Sequence, residues 1–279
     1  MTVKIVTDSV ADIPPEVVGS LGINVIPVLL HFGDETLRDG IDITTDHFYE
    51  RLASSKTLPT TSVPSLDMFA RTYALLAEET DQILVIMLSS KLSGMYNAAL
   101  QSVELVNNKV RIEVIDSGQA VMAEGFAVIR AAQAAKKGAT IEELLAMVKR
   151  DLSRVEIRAA FDTLDYLARG GRIGKAKAFL GSMLKINPII TIKNGVVEPA
   201  ERTRSRAKAM ELMVEFAASY KHLEELAIED AACPDDSDYL VERLSKFFPK
   251  ERIYRSRTTP VIGTHTGPGL ILVAALGDR

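Results

Sequence analysis

The 279-residue chain exceeds the usual single domain, and its 47% hydrophobic and 25% charged residues are those of an ordinary globular protein, so two domains are expected. A net charge of −4 with no long run of like charge argues against nucleic-acid binding, which calls for a concentrated basic face. No apolar run approaches the roughly 20 residues needed to cross a bilayer, and Cys233 is alone, which leaves neither a disulfide framework nor a thiolate metal cluster.

The opening Met1–Asp8 reads as a first strand rather than a leader, with Lys4-Ile5-Val6 its apolar core and Thr7-Asp8-Ser9 its polar tip. A soluble cytoplasmic protein is the economical expectation. A helix starts near Asp12-Ile13-Pro14-Pro15 and closes at Gly22. Asn24 to Phe32 is extended, and Pro27 confines it to a sheet edge; Gly33-Asp34-Glu35 then turns it back over Thr36 to Arg38. Thr45 to Leu52 is a short helix. Thr57 to Ser65 is too rich in proline and hydroxyls to be regular, and it displays Thr60-Thr61-Ser62 between prolines. A plain surface loop with Ser65 capping the next helix fits it equally.

Ile83 to Leu88 is an unbroken apolar run, hence a buried parallel strand, and Ala98 to Val106 reads as the helix behind it. Between them lies Ser89-Ser90-Lys91-Leu92-Ser93-Gly94. Hydroxyls and a glycine at a strand's carboxyl end, opening a helix, mark where open α/β sheets bind ligands, and free first-turn N–H groups favour an anion. Ser93 alone also fits an N-cap. Val110 to Ile115 is the next buried strand, tipped by Asp116-Ser117, and a helix follows over Ala120 to Lys137. Thr140-Ile141-Glu142-Glu143 is a capping box, and Ile141, Leu144, Leu145 and Val148 form a core stripe. Residues 1–155 thus alternate strand and helix as a doubly wound, mostly parallel sheet whose three polar tips share one edge.

Residues 156–279 read as an α+β domain with mixed or antiparallel sheet. Ile157 to Phe161 is a strand, and Pro188 to Lys193, Asn194-Gly195 and Val196 to Glu198 form a hairpin. Met210, Met213, Val214 and Ala217 line a helix; strands at Leu226 to Glu229 and Ile253 to Arg257 flank a helix near Asp238 to Phe248. Gly263-Thr264-His265-Thr266-Gly267-Pro268-Gly269 reads as a glycine-rich loop before a final strand from Leu270 to Leu276. His265 is either structural or a ligand contact. Arg169 and Arg172, flanking Gly170-Gly171, suit either solvent or an anionic group.

Standard site patterns fail one by one. Gly-Gly-Arg-Ile-Gly-Lys is no phosphate loop, because Arg169 replaces the first glycine and Ala176 the magnesium-binding hydroxyl. Ser93 sits in no nucleophile elbow, since Lys91 and Met95 occupy the glycine positions. The histidines at 31, 47, 222 and 265 lack metal-site spacing, so no metal and no cofactor are expected.

Taken in order, Thr7-Asp8-Ser9, Thr61-Ser62-Val63-Pro64-Ser65, Ser90-Lys91-Leu92-Ser93-Gly94, Asp116-Ser117, Leu167 to Ile173 and Gly263 to Gly269 resemble the DegV family of fatty-acid-binding proteins, which serve as the B subunit of bacterial fatty acid kinase. The resemblance implies a long-chain fatty acid of the palmitate, stearate or oleate class held between the two domains and presented to a separate kinase for acyl-phosphate formation. It implies a carrier with no catalysis of its own and no stable membrane insertion, monomeric when free. Carried onto this chain, Thr61 and Ser93 would bind the carboxylate, with Ser62, Gly94 and Thr264 beside them and His265 completing the site. Arg202, and more weakly Arg172, would engage the kinase and its phosphate. Val63, Met95 and Asn187 stand where the family usually has glutamine, threonine and lysine, and Val121 and Ala123 depart from its small residues. Two rivals stand: a hydrolase or acyltransferase with Ser93 as nucleophile and His265 as base, Asp116 or Asp8 completing a triad, and a DNA-binding regulator, which the acidic balance disfavours.

Overall fold

The computed structural model describes residues 2–55, 57–106, 110–180 and 187–279; Met1, where the first strand was expected to begin, lies outside them. In chain order the strands and helices are β1 (Lys4–Asp8), α1 (Pro15–Leu21), β2 (Asn24–Ile26), β3 (Leu29–Phe32), β4 (Glu35–Arg38), α2 (Thr45–Ser54), β5 (Thr60–Ser62), α3 (Leu66–Ala77), β6 (Gln82–Met87), α4 (Met95–Ser102), β7 (Arg111–Asp116), α5 (Val121–Lys136) and α6 (Ile141–Leu152). There follow β8 (Val155–Ala160), α7 (Asp165–Arg169), β9 (Asn187–Lys193), β10 (Val196–Thr203), α8 (Arg206–Ala218), β11 (His222–Asp230), α9 (Pro234–Leu244), β12 (Ile253–Arg257), α10 (Pro260–Thr266) and β13 (Ile271–Asp278).

The apolar runs of the first half build a four-stranded parallel sheet in the order β2-β1-β6-β7. Its carboxyl ends are tied together by their polar tips. Asp8 Oδ2 accepts the Leu88 N–H at 2.9 Å, and Asp116 accepts the Ser90 amide at 3.1 Å and the Ser90 hydroxyl. The second half forms a six-stranded mixed sheet, β10-β9-β8-β13-β11-β12, antiparallel except for β11 with β12.

Helix α5 lies between the two sheets, which is why the sequence gives it apolar residues all round. Val121, Met122, Phe126 and Ile129 join the core shared with β13, while Ala127, Val128, Ala131 and Ala132 join the core shared with β1, β6 and α6. The capping box at Thr140 and Glu143 is formed in both directions, and Ile141, Leu144 and Val148 are buried beneath it.

Three expectations need correction. Asn24 to Phe32 is two strands, because Pro27 cannot donate to a ladder: β2 edges the parallel sheet, and β3 starts a separate antiparallel sheet, β4-β3-β5. Thr60 to Ser62, expected to be irregular, is the strand β5, since β3 offers it a partner edge with Thr61 opposite Leu30. Pro260 to Thr266 is a helix, with proline in its first turn and Gly267 (φ +71°) ending it.

The Asn194-Gly195 hairpin reaches back to the loop after β6. Ser89 Oγ donates to the Gly195 carbonyl at 2.8 Å, and Lys91 Nζ to the Asn194 carbonyl at 2.8 Å. Gly195 has φ +79°, and a Cβ there would meet Ser89 Oγ at 2.7 Å. Gly195→Ala should therefore cost about 2 kcal/mol, from left-handed strain plus the collision. Chemical denaturation checks this; a change within about 0.5 kcal/mol, the range of an ordinary surface substitution, would refute the docked turn.

Candidate functional site

Where the carboxyl ends of β1 and β6 face β8, β9 and β13, the structure encloses a cavity of about 790 Å³, part of it open to solvent. Its walls come from both halves of the chain: Val10, Leu88 and Leu92 on one side, Phe161, Ile190 and Leu272 on the other. Five polar residues interrupt an otherwise apolar lining: Thr61, Ser93, Arg172, His265 and Thr266.

Thr61 projects from β5, and His265 from α10. Thr61 Oγ1 and His265 Nε2 lie 2.9 Å apart, a contact between residues 204 positions distant in sequence. The imidazole is packed so closely that a Cβ on Gly170 would collide with its Nδ1, and Nδ1 has no hydrogen-bond partner among the described residues. Burial, reinforced by the Arg172 cation, pushes the His265 pKa down to about 4. The ring is therefore neutral near pH 7.

Arg172 donates from Nε to the Leu92 carbonyl at 3.2 Å and from Nη1 to the Gly170 carbonyl at 2.6 Å. No carboxylate among the described residues forms a salt bridge with it. An unpaired guanidinium at the wall of an apolar cavity calls for an anion.

Of the three serines in the loop before α4, only Ser93 lines the cavity. Ser89 is held by Gly195, and Ser90 by Asp116. Ser93 Oγ also accepts the Met95 N–H at 3.4 Å, so it caps α4 weakly while facing the cavity. Ser62 turns the other way, its hydroxyl 2.7 Å from His31 Nε2. Thr264 Oγ1 donates to the Pro260 carbonyl at 2.9 Å inside α10, and its neighbour Thr266 lines the cavity instead. Gly94 is not in the lining; it precedes α4, where a Cβ would press on Val63 at 3.3 Å. Arg202 is exposed on β10, donating to the Ala178 carbonyl at 2.8 Å with its guanidinium 4.5 Å from the Phe179 ring centre, so it stands apart from Arg172 and the cavity.

Val121 is a residue the sequence marked only as a departure. It lines the cavity at φ +56°, a conformation costly for a β-branched residue. It is held there by the next amide, Met122 N–H, which donates to Glu229 Oε1 at 2.7 Å.

Comparison with known proteins gives one answer throughout. A family model described as "Uncharacterised protein, DegV family" matches residues 2–277. A DegV domain-containing protein of Streptomyces coelicolor is 36% identical over 273 residues, 96% of each chain. A structure described as fatty acid binding of a DegV family protein from Thermus thermophilus superposes with a TM-score of 0.92 at 33% identity, covering 99% of this chain and 100% of that one. DegV of Bacillus subtilis, described as a fatty acid binding protein, gives 0.90 at 32% identity with both chains covered completely. On the family match, the relatives and the shared fold alike, the chain belongs to the DegV family.

Proposed function

We propose that this protein binds one long-chain fatty acid in the cavity between its four-stranded and six-stranded sheets and presents the carboxylate to a separate fatty acid kinase for acyl-phosphate formation. The observation that carries the reading is an apolar cavity whose few polar groups are three hydroxyls, a neutral imidazole and a cation without a carboxylate partner among the described residues. That is a set for one anionic head and one aliphatic tail. The solved Thermus and Bacillus relatives, described as fatty acid binding, support it.

The imidazole orders the hydroxyls. A buried N–H without an acceptor is rarer than a buried lone pair without a donor, so the His265 proton belongs on Nε2, where it donates to Thr61 Oγ1. The Thr61 hydroxyl hydrogen is then left to donate to the carboxylate, alongside that of Ser93, while Arg172 supplies the opposite charge. Apolar burial supplies most of the affinity: at about 0.8 kcal/mol per CH₂, about fourteen methylenes give on the order of 11 kcal/mol before association costs. Enclosure also keeps water from an acyl phosphate. Arg202, exposed and away from the cavity, suits contact with the kinase, whereas Arg172 belongs to the carboxylate. The halves 1–155 and 156–279 are taken as the two domains, the first holding the four-stranded parallel and three-stranded antiparallel sheets and the second the six-stranded sheet.

A Ser93 nucleophile has little geometric support. His265 Nε2 is engaged with Thr61, and no acid among the described residues orients Nδ1. Asp116 is committed to Ser90 and Gly118, and Asp8 to Leu88 and Val10. A triad needs its acid on the second ring nitrogen.

Native mass spectrometry with lipid extraction tests the reading directly. A stoichiometric fatty acid released on denaturation is expected; a bare protein that also takes up no added oleate or palmitate would sink it. Ser93→Ala and Thr61→Val should each weaken oleate binding about 10- to 100-fold, the loss of one hydrogen bond to a charged acceptor, with ester hydrolysis absent in every variant. Burst release of product from an activated ester, abolished by Ser93→Ala, would favour the enzyme instead.

The pH dependence has a definite sign. With its folded pKa near 4 and an ordinary value of 6.5, His265 binds fewer protons folded than unfolded between those limits. Its contribution to stability is present above pH 6.5 and lost as pH falls toward 4. Oleate affinity should be flat from about pH 8 to pH 6, and the His265 ring signals should not titrate in that range; a ring pKa at or above its ordinary value in the free protein would contradict the buried neutral imidazole.

Val121 bears on the tail. Val121→Gly relieves about 1–3 kcal/mol of backbone strain and forfeits a similar amount of valine burial. The expected outcome is a near-unchanged melting midpoint with relatively better binding of bulkier acyl chains, measured by competition against oleate. A large stability loss with no change in preference would place Val121 in the core alone.

A further inference from the structure

A second cavity, of about 730 Å³ and likewise partly open to solvent, shares two elements with the first. Val10 and Val261 line the lipid cavity, whereas Ser9, Ala11 and Thr259 line this one. Its polar wall is Asp8, Asp12 and Asp39, only 1%, 3% and 2% exposed. None of the three forms a salt bridge among the described residues. Asp8 is satisfied by the amides of Leu88 and Val10, each at 2.9 Å. Asp12 Oδ1 accepts the Thr259 N–H at 3.2 Å, its Oδ2 has no hydrogen-bond partner among the described residues, and the buried carboxyl of Glu229, a like group, lies close enough to raise its pKa.

Asp39 is different. The Ser9 and Thr259 hydroxyls and the Val261 amide face its carboxyl and ease its burial. None reaches either oxygen at hydrogen-bond geometry, and Thr259 Oγ1 is itself without a partner. A buried carboxyl with both oxygens unpaired costs several kcal/mol unless it is protonated or meets a cation.

The rest of the wall says which cation. Among the described residues no three His, Cys, Asp or Glu side chains have metal-binding geometry. Apart from Thr7, whose hydroxyl donates to Glu124, and Gly40, the remaining surface is apolar and includes Ile13, Val18 and Pro27, with Val25 and Ile41 at the mouth, 38% and 58% exposed. An –NH₃⁺ group carries three donors, and both Asp39 oxygens with Thr259 Oγ1 are three free acceptors at one wall.

We propose that this cavity binds a primary aliphatic ammonium ion, its charged head on Asp39 and Thr259 and its alkyl body along Val18, Val25 and Ile41. The proposal is independent of the lipid reading. Calorimetric titration of the full chain with n-butylammonium chloride tests it, against ammonium, tetramethylammonium, potassium and magnesium chlorides at matched ionic strength. Butylammonium should bind saturably and raise the melting midpoint, with ammonium weaker and tetramethylammonium, which has no N–H, without effect. Asp39→Asn should weaken butylammonium about tenfold or more. Ile41→Ala, at an exposed rim position, should weaken it severalfold while leaving oleate uptake and the ammonium response unchanged, and it carries the comparison if Asp39→Asn does not fold. No saturable butylammonium binding, binding indifferent to both substitutions, or a potassium or magnesium response in its place would each overturn the proposal.

Discussion

The contact on which the site depends is the 2.9 Å pairing of Thr61 with His265. It brings a short strand from one half against a helix from the other, and both must be delivered accurately. The strand β5 is fixed by its ladder to β3. Helix α10 is fixed by close packing that only glycine permits: a Cβ at Gly170 would strike the imidazole, one at Gly263 would meet Tyr49 Oη at 2.7 Å, and one at Gly267 would strike the Tyr166 ring. The glycine spacing around His265 therefore sets the distance between the histidine and its threonine. The Tyr49 hydroxyl, 2.6 Å from Thr258 Oγ1, holds the start of the same helix from α2.

Much of this was legible because the relevant forces are local. The unbroken apolar run at Ile83 to Leu88 specifies a buried parallel strand whatever surrounds it, whereas Val110 to Ile115, interrupted by Arg111 and Glu113, forms the half-exposed edge strand β7 rather than the buried strand expected; the polar tips of both then share an edge by topology. Asn194-Gly195 specifies a hairpin through its left-handed turn. What was not legible depends on distant partners. Thr60 to Ser62 has no strand pattern of its own and becomes β5 only because β3 offers an edge. Gly263 to Thr266 looks like a loop, yet Pro260 starts a helix that buries Gly263, Thr264 and Thr266 and leaves His265 half-buried.

The site residues divide in the same way. A hydroxyl's direction is set by tertiary contacts, so sequence could place Ser89, Ser90, Ser93, Ser62 and Thr264 near a ligand but not aim them. Only Ser93 and Thr61 among the hydroxyls expected there line the cavity, joined by Thr266. Arg172 was grouped with Arg202 for want of any local difference between them. The difference is that the chain after α7 folds Arg172 against the Leu92 carbonyl, beside the cavity, and leaves Arg202 on an exposed strand. Val121 showed in the sequence only as a departure from small residues, since its strain lies in its backbone φ of +56°; the unpaired Asp39 carries no sequence signature, because it is defined by what fails to surround it.

These features converge on α10. Its first residues lie against Asp12 and Asp39, and its last turn carries His265 beside Arg172. Backbone dipoles make a helix's amino end positive and its carboxyl end negative, so acids at the start and a cation near the end are both favourably placed. The arrangement separates charge across a helix of only seven residues, with an unpaired cation at the cavity on one side and unpaired carboxyls at the cavity on the other. Neither set can neutralise the other without crossing the helix and the Ser9–Ala11 turn. On the readings proposed above, the first cavity would favour an anion and its neighbour a cation. An anion that binds beside Arg172 and a cation that binds beside Asp39 would act on opposite ends of the same short helix.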